Sequence, residues 1–397
     1  LPLLVKDNLV VGGLPATWGS PLYADFVPAE DEIPVARLRA AGAVILGKTN
    51  VPEFTLEGYT DNPLFGVTPN PWNPALTPGG SSGGSVAAVA AGMVPWAIGT
   101  DGGGSIRRPA AYTGLVGLKP SIGRIARGGG LPQLLLDMEV VGPITRTVRD
   151  QALMLEVLAG SDRRDYRSRG LAPLPPAEQL LSTPDRLRIL AVERFADAPL
   201  DPDIAESFRK TLAHLEDCGH HVTEGPLPLD IDPITEAWGA IGQIGLARLL
   251  DAQPGMAELA TAKYVEWART PHTAAELLEI LDRIDALRNQ ATAAFETIDL
   301  IMTPSCAAMP WSTQIPFPPE IDGQRVGPRG SAVYTGWVNA CGLPSISLPG
   351  PPAPSGLPIG MQYVAPFGRE DRLLRLGSQL QSILGWYEIW PELAFRS

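Results

Sequence analysis

The chain has 397 residues, 45% of them hydrophobic and 19% charged, with a formal net charge of −12. That composition describes a packed globular protein and excludes a disordered one. The acidic balance runs against a nucleic-acid or anionic-membrane partner, either of which wants a basic face. The cysteines Cys218, Cys306 and Cys341 are too few and too scattered for a disulfide framework or a zinc site, which fits a reducing compartment and no metal.

In chain order, LPLLVK at 1–6 reads as a buried strand ending on Lys6. Because the first residue is already strand, we expect a segment ahead of it and read the protein as cytoplasmic, any targeting signal lying outside this stretch. Residues 33–41 have helical spacing closed by Gly42, and 44–46 give a second strand. A rigid loop rich in proline and asparagine spans 62–78. Residues 86–91 read as a helix of small side chains and 96–100 as a buried strand. The apolar run 86–99 falls short of the ~20 residues of a membrane span. A helix follows over 148–159, then a charged, proline-rich and solvent-exposed connection over 161–185.

Beyond it come a strand at 187–192, a helix at 203–217 and a mostly helical stretch at 234–295 broken at Pro254 and Pro271. Strands at 300–303, 345–348 and 360–364 precede a closing amphipathic helix at 369–384. Alternating strands and helices predict an α/β fold with a sheet flanked by helices. A helical middle between two strand-bearing ends predicts one domain: 1–160 as the core, 161–297 as a helical cover and 298–397 returning to the sheet.

The chemistry concentrates in TPGGSSGGSVAAVAAGMVPWAIGTDGGGSIRRP, residues 77–109, where two Gly/Ser-rich turns flank the small-residue helix and the strand. A flexible linker has this composition, but a linker joins domains and this run feeds directly into a helix and a buried strand. Phosphate binding at a helix N-terminus needs Lys-Ser/Thr after the glycines, and Gly84-Ser85-Val86 lacks it. A nucleophile elbow centred on Ser82 fits G-x-S-x-G formally. It needs a histidine near an acid, and His214, His220, His221 and His272 all fall in or beside polar helical segments rather than in a glycine-bearing loop after a strand. The remaining reading joins both serine turns to a lysine. Lys6, Lys48 (LGKTN) and Lys119 (GLKPS) all close strand-like motifs, so residue patterns alone leave three candidates for the base.

The runs GGSSGGSVAAVAAG and GTDGGGSIRRPAAYTGLVGLKPS, with VKDN upstream and NACGLPSISLP downstream, closely resemble the amidase signature family of serine hydrolases. The resemblance is dense from Leu3 to about Gly160 and returns at 299–304, 339–349 and 356–371. It implies a single large domain with a mixed central β-sheet and helices on both faces, the family's N-terminal helices being absent from this stretch. It assigns Lys6 as the base, Ser81, after a cis peptide bond, as a bridging serine and Ser105 as the nucleophile. The amides of Gly102, Gly103, Gly104 and Ser105 would form the oxyanion hole, and Ser82, Asp101 and Arg107 match residues that support the site. The resemblance implies no cofactor.

Physical chemistry fits this assignment. A serine hydroxyl attacks only once a neighbouring base takes its proton, and at pKa ~10.4 a lysine is neutral only about 0.04% of the time at pH 7. Lys6 therefore has to lose roughly 2–3 pKa units, which burial beside Leu3, Leu4 and Val5 promotes and Asp7 opposes. Thr55 and Asn62 flank a loop on the family's substrate side. Cys306 is a pocket candidate or a small buried hydrophobe. Trp311, Tyr334 and Trp337, with Met309, Pro310, Ile315 and Phe317, supply the expected acyl pocket, and Arg108 reads as a surface charge.

An apolar or aromatic amide, anilide or carbamate is the expected small-molecule substrate. The alternatives are a Ser-His-Asp esterase-type hydrolase with Ser82 as nucleophile and a glutamine-using amidotransferase subunit, the latter disfavoured because Ala332 falls where such relatives carry an acid. A homodimer is compatible with the resemblance, and an inactive hydrolase fold serving as a binding module is the non-enzyme reading.

Overall fold

A computed structural model describes residues 1–252 and 255–392. The first block contains β1 (Pro2–Lys6), α1 (Ile33–Ala40), β2 (Val44–Thr49), α2 (Gly83–Ala90), β3 (Trp96–Asp101), α3 (Arg107–Thr113), β4 (Val116–Lys119), β5 (Val140–Thr145) and α4 (Val148–Leu158). The middle contains β6 (Arg188–Ala191), α5 (Pro202–Asp217), β7 (His221–Glu224), α6 (Asp232–Leu250), α7 (Met256–Leu259), α8 (Ala262–Ala268) and α9 (Ala274–Ala294). The last part contains β8 (Leu300–Pro304), the short pair β9 (Glu320–Ile321) and β10 (Gln324–Arg325), α10 (Gly336–Ala340), β11 (Ser345–Pro349), β12 (Gly360–Val364) and α11 (Glu370–Leu384).

Among the described residues ten strands form one mixed sheet in the order β2-β1-β3-β5-β4-β11-β12-β8-β6-β7. The outer strands pair in parallel, β1 with β2 and β3, and β6 with β7 and β8. The centre from β3 to β8 is antiparallel. The β4–β11 ladder joins strands from the two ends of the chain, so both ends share one sheet and one domain.

Strand alternation sorts the core onto two faces. Leu3 and Val5 of β1 face the extended core that also takes in Val35 of α1, Leu155 of α4, Phe208 of α5 and Leu376 of α11. Leu4 between them packs instead against Val86 and Val89 of α2 and Ala110 beside Ile106. The same period puts Lys6 on the Leu4 face, under the two helices that follow the serine turns. Farther along that face, α6 and α9 pack Ile241, Ile284 and Leu287 over Ile301 and Val364.

Several elements depart from the sequence reading. The α2 helix begins at Gly83, immediately after the serines, not at Val86. A Cβ on Gly84 would collide with the Asn50 amide nitrogen, so the glycine admits close approach of the 50–60 loop and does not loosen the chain. The β5 strand escapes sequence reading because it contains Pro143, which argues against a central strand. Its ladder with β4 covers only Ile144 and Thr145, so Pro143 lies past the end of that pairing.

The 161–185 segment is not a bare connection. Leu180 is fully buried in the main core, and Ala172 O accepts from Arg124 Nη1 at 2.6 Å. Pro271 separates α8 from α9 as expected, and Pro254 lies outside the described residues. Among the described residues no helix is long and apolar enough to cross a membrane.

Candidate active site

Lys6 ends β1 with its side chain fully buried. Its Nζ lies 2.7 Å from Ser81 Oγ, 3.1 Å from Thr100 O and 2.9 Å from Thr100 Oγ1. With the two Thr100 oxygens accepting, the remaining position on nitrogen faces Ser81, as an N–H in the ammonium and as a lone pair in the amine. Desolvation lowers the Lys6 pKa from 10.5 to about 7, against the carboxylates of Glu139 and Asp101 and with help from Arg127.

The opposition expected from Asp7 is absent. Its carboxylate takes Lys48 Nζ at 2.9 Å and the Thr17 hydroxyl and amide. That pairing also occupies Lys48. Burial, reinforced by Arg107, drives Lys119 to about 7 as well, but its Nζ donates to Pro120 O at 3.0 Å. Of the three candidate lysines, Lys6 is the one hydrogen-bonded to a serine of the glycine turns.

Ser81, buried, follows a cis Gly80–Ser81 peptide. The Ser82 amide donates to Ser105 O at 3.1 Å, which laces the two turns together. The Ser82 hydroxyl, also buried, donates to Thr100 O at 3.3 Å. Among the described residues no hydrogen bond joins the Ser81 and Ser105 hydroxyls. The described histidine contacts lie elsewhere: His220 with the Leu187 amide and Gln379, and His272 with Gln243.

The glycine turn before Ser105 is built around Asp101. Its carboxylate accepts from the amides of Gly104 (2.7 Å), Ile106 (3.1 Å) and Arg107 (3.3 Å), and pairs with the Arg107 guanidinium at 2.9 and 3.0 Å. Burial alone would raise the Asp101 pKa, but the charge and hydrogen bonds of Arg107, then Lys119 and Asn339, hold it well below the usual carboxylate range. Arg107 also reaches Gln362 on β12, and Asn339 and the Thr335 carbonyl at α10, tying the turn to the far half of the sheet.

Among the amides expected as oxyanion donors, one is hydrogen-bonded within the turn. The Gly104 amide is committed to Asp101, whereas those of Gly102, Gly103 and Ser105 have no protein acceptor among the described residues. Gly104 has φ +113, and a Cβ there would collide with Thr335 Oγ1, so the turn admits no side chain at that point.

Ser105 opens on a cavity of about 890 Å³, within the size range of small-molecule sites. Its walls are Leu135, Trp238 of α6, Tyr264 and Trp267 of α8, and Pro316 and Phe317 of the loop after β8. Of the residues expected at the pocket, Thr55 and Phe317 reach this cavity, as does Ala332, and the others do not line it. Asn62 braces its own loop through Val51 O and the amides of Leu64 and Phe65. Cys306 and Trp311 pack with Tyr59, Ala111 and Tyr112, and burial pushes the Cys306 thiol up to about 12. Tyr334 donates to Glu193 O at 2.8 Å, and Trp337 is buried among the α6 and α9 core.

The sequence reading missed the α6 and α8 aromatics because nothing local distinguishes a cavity wall from core on an amphipathic helix. It also placed Arg108 on the surface, whereas Arg108 is 8% exposed and lines the cavity. The available signal was its position one helical turn beyond Ser105.

The amidase family model matches residues 1–374. A glutamyl-tRNA(Gln) amidotransferase subunit from Alkaliphilus metalliredigens is 33% identical over 99% of this chain and 84% of its own length. Among solved structures, 6-aminohexanoate cyclic dimer hydrolase complexed with substrate superposes with a TM-score of 0.90 and 31% identity, covering 99% of this chain and 86% of that one. A bacterial aryl acylamidase of the amidase signature family superposes with a TM-score of 0.88 and 28% identity, covering 98% and 84%. With a family match over nearly its whole length and relatives of this closeness, the chain belongs to the amidase signature family.

Proposed function

We propose that this amidase-family hydrolase, which acts on carbon–nitrogen bonds of amides, does so through an acyl-enzyme on Ser105, with Ser81 as proton relay and Lys6 as base. The observation that carries the reading is the 2.7 Å contact between Ser81 Oγ and a fully buried Lys6 whose pKa falls to about 7. Near neutral pH such a lysine is half unprotonated and still basic enough to accept a proton, the condition under which a general base works best.

Ser105 Oγ attacks the carbonyl carbon, its proton passes to Ser81 Oγ, and the Ser81 proton passes to Lys6 Nζ. The tetrahedral oxyanion faces the amides of Gly102, Gly103 and Ser105, donors of a kind each worth about 3–4 kcal/mol to a transition state. Collapse breaks the C–N bond while the proton returns from Lys6 through Ser81 to the leaving nitrogen. Water then repeats the sequence on the ester and releases the acid. Asp101, Arg107 and Ser82 hold the two turns in place.

The apolar walls of the cavity support an apolar or aromatic group on the amide, so anilides and aryl carbamates are the substrates of choice. The chain's similarity to a glutamyl-tRNA(Gln) amidotransferase component favours a second reading, glutamine hydrolysis. Against it stand the width of the cavity and Ala332 in its wall, at a position where glutamine-using relatives are expected to carry an acid; Glu57 in the same lining is paired with Lys263. An elbow hydrolase using Ser82 is disfavoured by the burial of that hydroxyl against Thr100 O.

Labelling with a fluorophosphonate, peptide mapping and a panel of anilides, carbamates and glutamine test the proposal. Modification at Ser105 with anilide turnover is expected. Modification at Ser82, or ammonia release from glutamine exceeding anilide turnover, would overturn it.

A further inference from the structure

Arg108 is the feature of the cavity that amide hydrolysis does not use. Its backbone amide donates to Gly104 O at 2.9 Å, a helical bond that stands the side chain one turn along from Ser105. The guanidinium lies between the two walls of the site. A Cβ on Gly104 would be 2.7 Å from Arg108 Nε, and one on Gly58, in the loop opposite, would be 2.5 Å from Arg108 Nη1. The residue is 92% buried, since its exposure is 8%. Its Nε has no hydrogen-bond partner, and among the described residues the guanidinium makes no ion pair.

Buried charges in folded proteins are paired, because an uncompensated one is costly. The other charges on the cavity wall do not compensate this one. Glu57 is taken by Lys263 at 2.8 Å, and Arg329, stacked 4.8 Å from the centre of the Trp238 ring, adds a second positive group at the solvent-exposed mouth. A chain of net charge −12 thus presents an unneutralised cationic wall beside its nucleophile.

We infer that the substrate carries a carboxylate a few atoms from the scissile amide, and that this carboxylate is the missing partner of Arg108, with Arg329 assisting from the mouth. The inference rests on the proposed Ser105 hydrolysis and narrows it: one part of the substrate is apolar and packs on Trp238, Tyr264, Trp267 and Phe317, and the other part is anionic. A planar carboxylate matches the donor fork of a guanidinium, and the pair forms in a water-poor site.

The test compares matched substrates that differ only in the charge: succinic or glutaric mono-4-nitroanilide against the butyryl or valeryl 4-nitroanilide, and 4-(butyrylamino)benzoate against butyranilide. These place the acid on the acyl and amine sides respectively. The wild type is expected to favour the charged member of at least one pair by about 10–100-fold in kcat/KM, mostly through KM, the range of one charge-assisted hydrogen-bonded contact. Arg108→Gln should bring that ratio to about one, Arg108→Lys should keep part of it, and Arg329→Gln should lower it a few-fold. If Arg108→Gln does not fold, competition on the wild type decides: glutarate should inhibit and glutaramide should not. Equal or better turnover of the neutral members by an enzyme whose Ser105 is labelled overturns this inference and leaves the hydrolase proposal standing. Absence of both labelling and amide turnover overturns the hydrolase proposal, and this inference falls with it.

Discussion

Arg107 and Arg108 are identical residues in consecutive positions at the start of α3, and the fold treats them oppositely. Arg107 is fully buried and bonded to Asp101, Gln362, Asn339 and the Thr335 carbonyl. The Arg108 side chain is almost as buried and, among the described residues, is bonded to none. Successive residues on a helix differ by about 100° in direction, so one side chain turns into the sheet and the other into the cavity. A buried charge whose every donor is met belongs to the scaffold. A buried charge facing a cavity with its donors unmet is the mark of a ligand's place.

The comparison can be broken by removing each charge in turn. Arg107→Met strands the Asp101 carboxylate without its counter-charge, and a loss of about 3–5 kcal/mol is expected from a broken buried pair, read as a lower urea midpoint. An unchanged midpoint would remove the scaffold role.

Chemistry gives the next effect in size. Ser81→Ala should cut kcat by about 10²–10⁴, the usual contribution of a positioned proton-transfer group. A loss smaller than tenfold would end the relay.

The pH dependence of Lys6 sharpens the picture of the buried base. Its native pKa of about 7 lies below the value near 10.4 of the unfolded chain. Between those values the unfolded state holds the extra proton, so this group makes stability rise with pH across that window and exacts its full cost below pH 7. Activity should follow the same titration, kcat/KM rising through a single ionisation near pH 7. Lys6→Met should abolish activity and flatten the Lys6 part of the stability curve, leaving the part due to Lys119, also near 7. A kcat/KM profile flat from pH 6 to 9 would argue against a lysine base.

The smallest effect belongs to Arg108, with the sign reversed. Arg108→Met removes an unpaired buried charge, so the urea midpoint should hold or rise by up to about 1 kcal/mol equivalent. A drop as large as that for Arg107→Met would mean that Arg108 also serves the scaffold.

Most of the fold was legible along the chain because strand and helix periodicities are local. The Gly360–Val364 strand, the Ile33 helix and the long helical middle follow from side-chain spacing alone. Pro143 hid β5, and the glycines at 83 and 84 hid the first turn of α2, because propensity describes an isolated chain and both sites are decided by what packs beside them.

By itself the sequence supplied the candidate reacting groups: two serines in glycine turns and a lysine at a strand end, chemistry that depends on residue type and short-range order. Only the tertiary structure shows which of the three lysines meets a serine of those turns. Lys6, Lys48 and Lys119 differ in the partners that distant segments bring to them, Ser81 and Thr100, Asp7, and Pro120 O. It likewise decided that the Gly104 amide is taken by Asp101 and that the cavity wall comes from α6 and α8. Most of all, it decided that one of two adjacent arginines is left without a partner. Pairing and burial are properties of surfaces meeting in space, and a sequence records only which side chains are available to meet.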